Sequence, residues 1–190
     1  MITLRYFLVA ALLVMTACSG GHQEAYDAAL KELAAFETKV DEGFESTRTR
    51  HKNILGEDAW ETPIALVAAL QAAADEIAQV VADQKARIAK ERSILDLKVM
   101  DNAPATRELY HLDLETQHAK LAIFQIFQEM YGELMAQVKA GDPSAFAELA
   151  RVYREGVGAA NRRYVELDEA RQLRQEALLG DSIEAQPAPI

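Results

Sequence analysis

The chain has 190 residues, 50% of them hydrophobic and 26% charged, which is room for one ordinary domain with a buried core and solvated faces. Twenty Lys and Arg against thirty Asp and Glu give a formal charge of −10, so the chain as a whole repels nucleic-acid backbones and anionic lipid head groups, and no nucleic-acid partner is expected. A single cysteine excludes an internal disulfide and, with no Cys pair or Cys/His cluster, a tetrahedral zinc site.

Residues 1–5 carry one positive side chain, Arg5, beside the α-amine, and the apolar run Tyr6 to Met15 follows. This is the layout of a secretory signal peptide. Ten apolar residues span about 15 Å as a helix, roughly half a hydrocarbon core, too short for a stable transmembrane helix. The run ends in Met15-Thr16-Ala17-Cys18, which resembles the bacterial lipobox, with Met15 where Leu is commoner. The resemblance implies that Cys18 receives a diacylglyceryl thioether, that residues 1–17 are cleaved and that the new amino terminus is acylated. Several acyl chains on one residue exceed the two-signal threshold for stable anchoring. Ser19, in place of an Asp, implies by the behaviour of Gram-negative lipoproteins a location at the outer membrane, facing the periplasm. The expected division is therefore a signal peptide at 1–17, a lipidated cysteine and spacer at 18–22, a helical body at 23–179 and a disordered tail at 180–190.

From His22 to Leu179 the composition is that of strong helix formers, with Gly and Pro gathered at a few places. Leu55-Gly56-Glu57-Asp58 is a break, and Thr62 before Pro63 reads as a cap with proline at the first helical position. Trp60 and Pro63 read as a staple on that start. Asn102-Ala103-Pro104 and Gly141-Asp142-Pro143 repeat the device. Between the breaks apolar residues recur at helical spacing: Tyr26, Leu30, Leu33, Phe36, Val40 and Phe44 in the first segment, then Val67, Leu70, Ala74, Ile77, Val81, Ile88 and Leu95 in the second. The third offers Leu109, Leu112, Ala119, Ile123, Ile126, Phe127, Met130 and Leu134, and the fourth Phe146, Leu149, Val152, Tyr153, Val157, Tyr164, Leu167 and Leu178. Each stripe leaves the opposite face charged, the signature of amphipathic helices that need partners. The steps of three and four are those of coiled-coil packing, and no segment alternates with period two. The expected fold is all-α, an elongated antiparallel bundle of about four long helices. Two features strain that expectation. Gly156 and Gly158 cost about 1 kcal/mol each inside a helix, which predicts a kink or a split of the fourth segment. Gln84 and Glu91 occupy positions the heptad would bury, which predicts a second helix that projects beyond its partners or pairs with another copy.

The sharpest chemical pattern is Glu108-x-x-His111 followed one heptad later by Glu115-x-x-His118. Glu-x-x-His supplies ligands in di-iron carboxylate bundles, which need one pair on each of two helices and further glutamates from two more. Here both pairs share one helix, displaced about 100° from the apolar row, so a solvated flank is the plainer reading and a peripheral metal site the alternative. Gly141 to Gly158, with Ala145, Leu149, Ala150, Tyr153 and Gly156, resembles one unit of the Sel1-like helical repeat, which would imply a protein-docking surface. No second copy follows, and such repeats bury their cores by stacking. Arg151, Arg154, Arg162, Arg163, Arg171 and Arg174 alternate with acids at pairing distance, so they read as an ion-paired face. No nucleophile elbow, phosphate loop or His-Glu-x-x-His occurs. The resulting expectation is a non-enzymatic lipoprotein with no cofactor beyond the lipid on Cys18. It would be held at an envelope membrane as an adapter, chaperone-like or structural component with an envelope protein partner or further copies of itself. A metal-binding lipoprotein using Glu108, His111, Glu115 and His118 is the alternative.

Overall fold

The computed structural model describes residues 20–54, 63–141 and 145–184. Four long helices account for nearly all of them: α1 (Gly20–Ile54), α2 (Pro63–Leu95), α3 (Pro104–Ala140) and α4 (Ala145–Glu184), with a short 3₁₀ turn, Lys98–Asn102, between α2 and α3. Among the described residues there is no strand. The all-α bundle expected from the pattern is what forms. The signal peptide, Cys18, the break at 55–58 and Trp60 lie outside the described residues.

The ends of α3 show why the breaks fall where they do. Pro104 sits in its first turn, where a missing N–H costs nothing. At the other end Gly141 adopts a left-handed conformation, φ 73°, and its N–H returns to the carbonyls of Gln137 and Val138. Before α3 the chain turns on backbone bonds, Met100 N–H to the Leu97 carbonyl at 2.9 Å and Ala103 N–H to the Met100 carbonyl at 3.2 Å. The turn also closes the core, because Met100 and Ala103 are both buried.

The helices pack in sequence, α1 on α2, α2 on α3 and α3 on α4. Side-chain pairs fix the directions. Tyr26 meets Tyr110 and His51 meets Tyr131, so α1 and α3 run parallel. Lys90 pairs with Glu32 while Arg50 pairs with Glu76, so α2 runs against α1. Arg174 pairs with Glu108 and Gly156 passes Ile126, so α4 runs against α3. At about 1.5 Å per residue the 35-residue α1 is about 50 Å long, which sets the length of the bundle.

The central element is α2. It is long and apolar enough to cross a membrane by length and hydropathy alone, and the fold uses that apolarity between α1 and α3. Its buried positions form three heptad rows: Leu70, Ile77, Gln84 and Glu91; Leu66, Ala73, Val80, Arg87 and Ile94; and Val81, Ile88 and Leu95, which were on the stripe expected from the sequence. Where Gly43 of α1 faces Val80 the two backbones approach so closely that a Cβ on Gly43 would stand 2.8 Å from the valine methyl.

Several expectations change. Buried on α3 are Thr106, Tyr110, Leu114, Thr116, Gln117, Leu121, Ile123, Phe124, Met130, Tyr131 and Leu134; the expected Ile123, Met130 and Leu134 are among them, while Leu109, Leu112 and Ala119 are only half-buried. The reason is that Tyr110 and Gln117 find partners inside, so polarity did not keep them out. The fourth helix does not split at Gly156; it is helical from Ala145 to Glu184, which also carries it past Gly180 into the expected tail. At the other end α1 is already helical at Gly20, within the expected spacer. The stretch resembling a Sel1-like unit belongs, from Ala145 on, to this one unbroken helix.

Candidate functional site

Gln84 and Glu91 are neither on a projecting helix nor at a seam with another copy. Both are fully buried inside the bundle, and their partners come from this chain. Gln84 Nε2 donates to the Gln117 main-chain carbonyl at 3.0 Å and to its side-chain Oε1 at 3.1 Å. Gln117 Nε2 in turn donates to Asp113 Oδ1 at 3.4 Å. Arg87 donates from Nη1 to Glu91 Oε2 at 3.0 Å and from Nη2 to Asp113 Oδ2 at 3.1 Å. From α4, Arg171 Nη1 lies 3.3 Å from Asp113 Oδ1 while its Nη2 pairs with Asp168. Glu37 of α1 faces the same cluster, close to Arg87, Asp113, Asp41 and Lys120. Asp113 is thus the hub of a polar layer to which all four helices contribute.

The two carboxyl groups of this layer are driven apart. Burial, then the neighbouring Asp113, pushes Glu91 well above the usual glutamate range, against the opposing pull of Arg87 and Arg171. Burial also works to raise Asp113, but Arg87, the hydrogen bond from Glu91 and Arg171 together outweigh it and hold Asp113 low. Glu91 Oε1 meets no N–H or O–H donor. A proton on Glu91, donated to Asp113, accounts for both facts, since two ionised carboxylates cannot share one hydrogen bond. Arg87 and Arg171 both face Asp113, and Arg171 also pairs with Asp168. A neutral carboxyl beside an ionised one is the composition of an acid–base pair. Glu91 has no solvent exposure, however, so no substrate atom reaches it in this arrangement. The layer joins helices.

Farther along the core lies an aromatic layer. Phe44 stacks at a tilt on Phe124, centroids 4.9 Å apart, and on Phe127 at 6.3 Å. The His51 ring stands edge-on to Phe127 and Tyr131. Its Nδ1 is 3.0 Å from the Tyr131 hydroxyl. Burial lowers the His51 pKa and raises that of Tyr131. Beside this layer, between α1 and α2, a shallow cleft of about 270 Å³ is bordered by Lys39, Glu42, Glu76 and Asp83 over Val80.

The tandem Glu-x-x-His residues lie elsewhere. Glu108, His111, Glu115 and His118 are all exposed on α3. Glu108 is held by both arms of Arg174, Nε at 2.9 Å and Nη2 at 2.8 Å, and that hydrogen bonding lowers its pKa. Among the described residues no group of three or more His, Cys, Asp or Glu is placed to hold a metal ion, so the fold does not gather these four into a ligand set. The arginines of α4 follow the ion-paired reading: Arg151 bonds Glu148 and Glu155, and Arg163 pairs with Glu166.

What sequence reasoning missed is Arg87, Asp113 and Gln117, and that Arg171, read as part of an ion-paired face, also reaches Asp113. The signal was present in α2, where Gln84 and Glu91 continue an apolar heptad, but a polar heptad position names no partner. Comparison with protein-family models, with curated proteins and with solved structures gives no match.

Proposed function

We propose that this chain is a membrane-anchored envelope lipoprotein whose helical bundle serves as a non-enzymatic adapter, chaperone-like or structural component at the outer membrane, facing the periplasm. The observation that carries the reading is Met15-Thr16-Ala17-Cys18 at the end of a short apolar run behind a basic start. Helix α1 begins at Gly20, so a lipid on Cys18 would stand almost directly on the helix, with the Tyr26 and Tyr110 end of the bundle toward the membrane. The body would then reach about 50 Å outward. The charge layer supports a scaffold, because its ion pairs join α2, α3 and α4 inside the protein and Glu91 has no solvent exposure. Of the exposed large apolar side chains among the described residues, Val152, Val165 and Leu173 lie on α4 and Ile64 at the start of α2, so α4 is where an envelope partner would find most apolar contact.

The test is fractionation of cells carrying the natural chain or Cys18→Ser, with fatty-acid labelling. The natural chain should label and sediment with the outer membrane, and the variant should lose both properties. A variant that stays membrane-bound, or a natural chain that takes no label, overturns the reading. Gentle solubilisation of the natural chain should then bring down a stoichiometric partner.

A further inference from the structure

Helix α4 is attached differently from the other three. Helices α1, α2 and α3 each give several fully buried side chains to the core, while among the described residues of α4 none is buried. Its principal neighbour is α3, and Leu149 and Tyr153 reach only the rim of the core. At Gly156 the seam has room for a methyl, since a Cβ placed there would stand 3.9 Å from Ile126, in ordinary van der Waals contact. What grips α3 is polar: Arg171 on Asp113 and the two-armed contact of Arg174 on Glu108.

The decisive feature is the double pairing of Asp113. Arg87 holds it from inside the three-helix core, and Arg171 holds it from α4. Removing one partner of a buried pair is costly because it strands a charge. Withdrawal of α4 strands none: Asp113 keeps Arg87, Arg171 keeps Asp168 on its own helix, and Glu108 returns to water. The apolar surface that α4 gives up is that of half-buried side chains such as Leu149 and Tyr153, with no fully buried one among its described residues. We propose that α4 is a releasable strap, latched to a self-sufficient three-helix core by Arg171 on Asp113 and Arg174 on Glu108, which opens as a unit while α1, α2 and α3 stay folded. The strap does not depend on the lipid anchor.

The test is native-state hydrogen exchange of the full chain, read by mass spectrometry and corrected for intrinsic rates, on the natural protein and on Arg171→Gln with Arg174→Gln. Amides of α4 should exchange at least about tenfold faster than those of α2 in the natural protein. In the double variant α4 should accelerate by a further factor of about ten with α2 unchanged. A common rate for α4 and α2, or equal acceleration of both, overturns the strap. If the double variant does not fold, the natural protein is followed from low to high salt: selective acceleration of α4 supports the latch, and salt-independent exchange refutes it.

Discussion

The polar layer around Asp113 and the aromatic layer around Phe124 occupy the same core, and their materials are opposite. The aromatic layer is held by surface removed from water, and any group of similar shape contributes in proportion to its area. The polar layer gains little from being charged, because desolvating Arg87, Glu91 and Asp113 offsets most of their attraction. Its contribution is selectivity. Only one rotation and one register of α2, α3 and α4 let Gln84 reach Gln117 while Arg87 and Arg171 meet at Asp113. Burial says how tightly the helices pack, and the polar layer says which faces meet.

The largest effects should come from breaking either layer. Arg87→Met leaves Asp113 and Glu91 facing each other without their inner cation, and should lower unfolding free energy by about 3–5 kcal/mol in denaturant titration. Phe124→Ala should cost about the same, through a cavity. The layers part company on rescue. Adding Glu91→Met and Asp113→Leu to Arg87→Met should restore most of the loss, because no buried charge remains, whereas no second substitution of polarity repairs Phe124→Ala. Failure of that rescue would mean the polar layer is a source of stability and not of selectivity.

Titration should sharpen the contrast next. Glu91 has a raised value in the fold, so the folded state holds a proton that the unfolded chain releases above about 4.5. Its contribution to stability is full below that pH and declines as pH rises toward the folded value, by about 1.4 kcal/mol per pH unit. His51 has a lowered value, so the unfolded chain takes up the extra proton below about 6.5 and stability declines as pH falls through that range. Glu91→Gln should flatten the first slope and His51→Phe the second, each leaving the other intact in thermal unfolding measured across pH.

Smaller effects separate the two glycine contacts. Gly43→Ala should destabilise by about 1–3 kcal/mol, since its new methyl meets the Val80 methyl at 2.8 Å. Gly156→Ala should stabilise by about 1 kcal/mol, since a Cβ there meets Ile126 at an ordinary contact of 3.9 Å and the helix gains propensity. Opposite signs in melting temperature check the pair, and a destabilising Gly156→Ala would show that the seam with α3 has no room for a methyl at this position.

Much of the architecture was legible in the chain. Helices begin at Pro63 and Pro104 and α3 ends at Gly141 because these are local chemical facts, a missing N–H and a permitted left-handed turn. The apolar rows of α1 and of the first half of α2 were legible for the same reason, since each apolar residue declares its own preference for burial. The expected interruption at Gly156 failed because about 1 kcal/mol of propensity is smaller than what continuous packing on α3 returns. The candidate site was misplaced for a related reason. Glu108, His111, Glu115 and His118 form a pattern that is visible locally, whereas Asp113, two positions from His111, looks like any solvated acid until Arg87 and Arg171 are brought to it.

By itself the sequence determined four helices, the starts at Pro63 and Pro104, the end of α3 at Gly141 and the amphipathic character of each, because those depend on residues within a few turns of one another. The tertiary structure alone decided that Gln84, Arg87 and Glu91 lie inside. Their burial is favourable only with the partners that α3 and α4 supply, such as Asp113, 26 residues from Arg87 along the chain. The same dependence decided that α4 lies outside the core, its arginines meeting charge where the other helices meet hydrocarbon.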